Sequence, residues 1–303
     1  MLKSSRGASR RVVLAGGLGA ALSAVPMTSA AYAYSPGNEA VRRLQDLERE
    51  HAARLGVFGW NTVTGRSVLH RGDERFPMCS TFKTLAVGAV LRDLDRDGTF
   101  LSKVIHYTEQ DIKRSGGAPV TGLPENLAHG MTVEGLCGAA ISHSDNTAAN
   151  LLLDELGGPT SVTRFCRSIG DSVTRLDRWE PELNSAEPGR ATDTTSPRAI
   201  GRTYARLALG RSLEAGDRRR LTGWLLANKT GGTRLRAGLP GGWTVGDKTG
   251  TGSYGTANDV GIAWPSGQGP IVMAVLSTKH DVDAEADDPL IAKAADILAT
   301  ALD

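Results

Sequence analysis

Trp243-Thr244-Val245-Gly246-Asp247-Lys248, Asn258-Asp259-Val260-Gly261-Ile262-Ala263-Trp264 and Pro270-Ile271-Val272-Met273-Ala274-Val275-Leu276-Ser277 are three β-like runs near the C-terminal end of the chain, set apart by Gly- and Pro-containing turns. Comparable runs lie near the other end, from Gly56 to Val63 and from Ser67 to Arg71, with Thr64-Gly65-Arg66 between them reading as a hairpin turn. The intervening chain reads helical. A helix begins near Ser80 with Leu85, Ala89 and Val90 facing the core, and helical patterns follow at Met131–Ala140, Asn146–Leu156, Pro197–Leu209 and Leu221–Ala227. Val41, Leu44, Leu47 and Leu55 mark one face of a helix from about Asn38 to Arg54, and a last helix runs from about Asp287 to Leu302. Strands at both ends with helices between predict an α/β (α+β) chain. Its antiparallel sheet is built from both chain ends and flanked by helices. An all-helical lobe is inserted between the ends, and the site is expected in the cleft between the lobes. The expected limits are 34–75 plus 225–303 for the α/β lobe and 76–224 for the helical lobe.

The first 33 residues read as an export signal. Lys3, Arg6, Arg10 and Arg11 precede an apolar run from Val12 to Val25, and Ala31-Tyr32-Ala33 matches an A-x-A cleavage site. Ser9-Arg10-Arg11-Val12 places paired arginines just before the apolar run, which predicts the twin-arginine route; an ordinary secretory signal is the alternative. The run is too short and too rich in Gly and Ala to span a membrane. Removing the segment takes four basic and no acidic side chains from a formal charge of +2, leaving −2. A near-neutral mature surface gives no support for nucleic-acid binding or a polybasic membrane anchor. Cys79, Cys137 and Cys166 are odd in number, so at least one thiol is free or pairs between molecules; three buried thiols packed as small apolar groups are expected.

Four motifs carry chemistry. Ser80-Thr81-Phe82-Lys83 is an S-x-x-K at a helix start, where positions i and i+3 share a face and the Lys83 amine can reach the Ser80 hydroxyl. A serine needs a base to become a nucleophile, and a partly desolvated lysine among other cations has its pKa lowered towards that task. Ser144-Asp145-Asn146 precedes the next helix. Ser144 can relay a proton to a leaving nitrogen, and Asn146 can donate to an amide carbonyl, although a capping role for Ser144 or Asp145 has the same signature. Lys-Thr-Gly occurs twice. Lys229-Thr230-Gly231 follows a helical run, with Gly231-Gly232 as its stop, whereas Lys248-Thr249-Gly250 ends a strand and can line a cleft, so Lys248 is taken as functional. Finally, Glu180 and Asn184 lie four apart in a polar, Pro-containing stretch and together can orient a water as a nucleophile.

Other chemistries find little support. His51, His70, His106, His129, His143 and His280 lack metal-ligand spacing, so no metal and no cofactor are expected. Gly250-Thr251-Gly252-Ser253-Tyr254-Gly255 fits G-x-G-x-x-G but is followed by a strand rather than a helix, so its glycines are read as allowing a substrate backbone to approach the strand. No serine sits in G-x-S-x-G, against an α/β-hydrolase triad, and Asn228-Lys229-Thr230 is treated as a chance glycosylation sequon.

S-x-x-K, S-D-N and K-T-G in this order, with Glu180-Pro181-Glu182-Leu183-Asn184, resemble class A serine β-lactamases over nearly the whole mature chain. The resemblance implies a monomeric β-lactam hydrolase acting on small-molecule β-lactams. Ser80 is then the acylated nucleophile, and the N–H groups of Ser80 and Thr251 form the oxyanion hole. Lys83 and Glu180 handle protons, with Glu180 the deacylation base and the acylation base open between the two. Asn184 helps hold the deacylating water, Ser144 protonates the leaving nitrogen and Asn146 binds the substrate's side-chain amide. Lys248 and Thr249 meet the substrate carboxylate with Arg234 as a second cation, and Gly250 and Thr251 complete the binding strand. Arg178 and Asp193 resemble the pair closing the loop that carries Glu180. There are departures. Val87 stands where Cys137 would find a disulfide partner, Gly252 stands where relatives that hydrolyse carbapenems bond the cysteine matching Cys79, and Gly117 occupies the place of a cleft aromatic. A D,D-peptidase or penicillin-binding protein is the alternative, disfavoured by Glu180 with Asn184. A penicillin-sensing module would need a membrane span or signalling domain that the mature sequence does not show.

Overall fold

A computed structural model describes residues 36–303, so the expected export signal lies outside the described residues. The first helix, Pro36–Glu50, leads into strands β1 (Arg54–Asn61) and β2 (Ser67–His70). Three more strands, β3 (Thr244–Gly252), β4 (Thr256–Trp264) and β5 (Ile271–Thr278), precede the final helix Asp288–Leu302. All are antiparallel in the order β2-β1-β5-β4-β3, with Val57 opposite Val275, Ala274 opposite Val260 and Val260 opposite Lys248. The sheet is thus assembled from both ends of the described chain.

Side chains on a strand alternate between faces. On β5, Val272, Ala274 and Leu276 belong to the apolar cluster shared with the central helices, together with Phe58, Val260 and Ile262. Ile271, Met273 and Val275 belong to a second cluster with Leu44, Leu290, Ile291 and Leu298 from the two terminal helices. Both faces are covered, which is why the strands read as nearly continuous apolar runs. The first helix stops at Glu50, short of the expected Arg54, because His51–Ala53 turn the chain, with Ala52 at φ +45°. Leu55 therefore lies on β1, yet it is buried in the same cluster as Leu44 and Leu47.

The inserted segment is helical, with its ends defined by local chemistry. Asp145 accepts from Ala148 N to cap Asn146–Leu156, and Gly157 at φ +85° ends that helix in the left-handed region. Thr132 caps Val133–Ser142, which starts two residues later than expected because Met131–Thr132 pairs with Val104–Ile105 as a small ribbon. A second ribbon joins Phe76–Pro77 to Thr194–Thr195. The helix before Lys229 is Ala215–Leu226, capped at Ala227, so Gly231 is not its stop. β3 does not end at Lys248-Thr249-Gly250 as expected but continues through Gly252, pairing all the way to Thr256.

Candidate functional site

Cys79–Phe82 forms a single 3-10 turn, followed by the helix Lys83–Ala89. Three groups hold this turn in place, one of them from the sheet. Asn258 Nδ2 on β4 donates to Pro77 O and Met78 O at 2.9 and 3.2 Å, Met78 N donates to Asp193 O, and the Tyr204 hydroxyl donates to Thr81 O at 2.8 Å. A Cβ added to Gly250 would stand 2.8 Å from Met78 O and 3.2 Å from Ser80 N. The glycine therefore serves close approach of the Ser80 turn to β3. Gly252 likewise abuts Cys79, whose Sγ would lie 2.8 Å from an added Cβ. All three cysteines are free and buried. Cys79, Ser144 and Asp193 hold φ of +44°, +56° and +55°. Non-glycine residues in this region carry strain of about 1–3 kcal/mol each, and three of them converge on one site.

The reactive side chains meet at Glu180. Ser80 Oγ donates to Glu180 Oε1 at 3.0 Å, and Lys83 Nζ lies 3.1 Å from the same oxygen. The expected direct Ser80–Lys83 bond is replaced by this shared carboxylate oxygen. Lys83 also donates to Ser144 O at 2.8 Å and Asn146 Oδ1 at 2.6 Å, so all three of its N–H bonds have acceptors. Lys83 and Glu180 are buried, and Ser80 is 8% exposed. Burial pushes the Lys83 amine below its ordinary range, opposed by the adjacent Glu180 charge. Asn184 Nδ2 donates to Glu180 Oε2 at 2.5 Å, while Asn184 Oδ1 is buried without a partner among the described residues.

Ser144 faces the other side of this group. Lys248 Nζ donates to Ser144 Oγ at 3.0 Å and Lys83 Nζ approaches the same hydroxyl at 3.4 Å, so one oxygen bridges two buried lysines. Burial, then the neighbouring Lys83 charge, brings Lys248 down to about 7, opposed by Asp247, Asp259 and Glu180. Asp145, buried beside Ser144, caps its helix and also accepts from Val120 N, Thr121 N and Thr121 Oγ1, so the capping role falls to it. Arg234 is 5% exposed and heavily engaged. It donates to Asp288 at 2.7 Å, to Gly250 O and Asn258 O at 2.8 Å, and to Thr251 Oγ1 at 2.8 Å, which leaves one N–H on Nη2. Thr249 Oγ1 and Thr230 Oγ1 are 2.5 Å apart, so the second Lys-Thr-Gly stands beside the first, although Lys229 itself is exposed and Lys248 buried.

The loop bearing Glu180 is closed by Arg178, whose Nε donates to Asp193 Oδ2 at 2.6 Å. Asp193 Oδ1 accepts from the amides of Asp177 and Arg178. Sequence reasoning missed Asn150, which clamps Glu180 from the helix behind: its Nδ2 donates to Glu180 O and its Oδ1 accepts from Glu180 N. Its position four after Asn146 was a usable signal, since both then share a helix face. Also missed were Ser115, whose carbonyl accepts from Asn146 Nδ2, and Asp288, the partner of Arg234. Gly117 packs on the Asn146 side chain, where an added Cβ would lie 3.2 Å from Nδ2. Among the described residues no three His, Cys, Asp or Glu side chains gather to hold a metal, and no helix is long and apolar enough to cross a membrane.

A serine hydroxyl bonded to a buried carboxylate, a lysine on the same carboxylate and a second serine between two lysines define a serine hydrolase of the acyl-transfer type. The chain belongs to the β-lactamase enzyme family, whose sequence profile matches residues 39–302. It is 65% identical to a β-lactamase of Streptomyces lavendulae, the alignment covering 97% of each chain. The structure of a β-lactamase from Streptomyces albus G superposes with a TM-score of 0.87 at 64% identity, covering 88% of this chain and 100% of that one. A variant of the last common ancestor of Gram-negative class A β-lactamases superposes at 0.81 and 52% identity, covering 86% and 97%. These likenesses make the chain a class A serine enzyme of that family.

Proposed function

We propose that the enzyme hydrolyses the amide bond of β-lactam antibiotics through an acyl-enzyme on Ser80. The observation that carries this reading is the single oxygen Glu180 Oε1, which receives Ser80 Oγ and Lys83 Nζ together. Ser80 Oγ already donates to Glu180 Oε1, which makes Glu180 the acylation base in this reading, with Lys83 Nζ on the same oxygen as the alternative. Ser80 Oγ then attacks the lactam carbonyl, and its oxygen gathers negative charge against the N–H groups of Ser80 and Thr251. The C–N bond breaks as Ser144 Oγ gives its proton to the nitrogen. Lys83 Nζ returns a proton to Ser144 and takes in turn the proton Glu180 received from Ser80, leaving Glu180 a carboxylate again, while Lys248 stabilises the Ser144 oxygen. A water then loses its proton to the Glu180 carboxylate and attacks the ester carbonyl. The acyl C–O bond to Ser80 breaks as Ser80 Oγ takes that proton back from Glu180, releasing Ser80 and the ring-opened acid. Asn184 Oδ1, which no described residue satisfies, is an acceptor that such a water would meet beside Glu180.

For binding, we assign Asn146 to the substrate's side-chain amide and Lys248, Thr249 and the remaining N–H of Arg234 to its carboxylate, with Gly250 and Thr251 on the strand beneath. The proposed lobes are 34–75 plus 225–303 and 76–224, and the enzyme is proposed to be a monomer exported by its N-terminal segment. The test is intact-mass spectrometry with a slowly hydrolysed β-lactam, where an adduct on Ser80 that Ser80→Ala abolishes is expected. An adduct on another residue overturns the assignment.

A further inference from the structure

We propose that the outer face of helix Pro197–Ala208 carries a second, non-catalytic site that binds a small organic carboxylate with an apolar body. A cavity of about 500 Å³ lies where this helix meets the end of β1 and the turn before β5, walled by Trp60, Ala205, Leu209 and Pro270. Its size is that of an ordinary small-molecule site. Arg202 and Arg206 stand on its rim, and no carboxylate lines it. The two arginines are four apart on one helix face, so their charges repel. Neither side chain makes a hydrogen bond or ion pair with a described residue, whereas Arg198, on the same helix, is paired with Asp73. The Arg202 guanidinium lies 5.6 Å from the Trp60 ring centroid, a cation–π distance that holds the charge over the apolar wall.

This arrangement selects its ligand chemically. An indole, a proline and aliphatic side chains take up an apolar body. Two guanidiniums at the rim offer forked donors that match a carboxylate and that no described carboxylate pairs with. An uncharged apolar molecule would leave both arginines unpaired, and a bare inorganic anion would leave the cavity empty. The site does not share side chains with the Ser80 centre. The inner face of the same helix does reach that centre, because Tyr204 donates to Thr81 O.

Decanoate titrated into the full-length folded protein below its micelle concentration tests the proposal, followed by calorimetry and tryptophan fluorescence. One equivalent is expected to bind per chain. Decanol is expected to bind about tenfold more weakly or worse, because it lacks the charge-assisted bonds. Arg202→Gln with Arg206→Gln should weaken decanoate by a similar factor while penicillin turnover stays at the parent rate. Ala205→Phe should fill the cavity and remove binding, and Trp60→Phe should remove the ligand-dependent fluorescence change. Equal binding of decanoate and decanol to the parent protein overturns the proposal, a comparison that needs no variant to fold. Parent-like affinity in the double arginine variant, or association only with anionic phosphatidylglycerol vesicles, overturns it as well.

Discussion

Asp193→Asn isolates the clasp that holds the Glu180 loop shut. In the parent, Asp193 Oδ1 accepts two backbone amides and Oδ2 accepts Arg178 Nε at 2.6 Å, with the Asp193 side chain 1% and Arg178 24% exposed. Asparagine tolerates the left-handed backbone at this position and can still accept the two amides through its oxygen. Its NH2 then faces Arg178 Nε, donor against donor. Losing one charge-assisted bond costs about 1.5–3 kcal/mol, and breaking a fully buried pair about 3–5 kcal/mol. Arg178 is partly exposed and keeps Ser185 at 2.9 Å and Glu187 at 3.3 Å, so the lower range applies, about 1.5–3 kcal/mol. At about 2–4 °C per kcal/mol for a chain of this size, calorimetry should show Tm falling by roughly 3–12 °C. Because the clasp positions Glu180 and Asn184, single-turnover kinetics should show deacylation slowed more than acylation. A Tm within about 1 °C of the parent, together with unchanged deacylation, would refute the reasoning.

Three other outcomes follow from the same geometry. Lys248→Ala should cut kcat/KM for carboxylate-bearing β-lactams by about ten- to a hundredfold, from a lost contact of about 1.5–3 kcal/mol, whereas Lys229→Ala should leave it near the parent value. Equal losses would mean that the exposed copy matters as much as the buried one. Since Lys248 is brought down to about 7 by burial and by Lys83, it is a cation below that pH and loses its charge above it. For such substrates kcat/KM, which reports the free enzyme, should therefore fall as pH rises through about 7, and Lys248→Arg should remove that limb; an identical profile in Lys248→Arg counts against the assignment. Asn150→Ala removes both bonds to the Glu180 backbone, so it should slow deacylation while leaving acylation closer to normal; parent-like rates for both steps would show that the clamp is idle.

The sheet and the side chains that the structure brings together at Glu180 were legible because their signals are local. Helix Asn146–Leu156 was read to both ends, since an aspartate cap and a glycine stop both lie next to it in sequence. Ser80 with Lys83 and Glu180 with Asn184 are pairs whose chemistry demands close spacing on one turn. What was not legible depends on contacts across the fold. Nothing near Arg234 announces Asp288, 54 positions away, and the Lys83 amine is satisfied by residues more than sixty positions downstream. The continuation of β3 through Lys248–Gly252 was hidden by its glycines, poor strand formers that are present because the nucleophile turn sits against them. The two Lys-Thr-Gly copies were separated correctly as strand and post-helix segments, but their adjacency through Thr230 and Thr249 is a tertiary fact.

Glu180→Ala tests the central claim most directly. Stopped-flow absorbance and intact mass, measured together on penicillin, resolve acylation from deacylation. With the water's base removed, the enzyme should consume one equivalent and stall with Ser80 acylated. Its deacylation should be slowed by at least about 10²–10⁴-fold, the usual worth of general-base catalysis. Acylation should also slow, since Glu180 receives the Ser80 proton, but an adduct on Ser80 should still accumulate. Steady turnover at the parent rate with no trapped adduct would contradict the account and remove Glu180 from the mechanism.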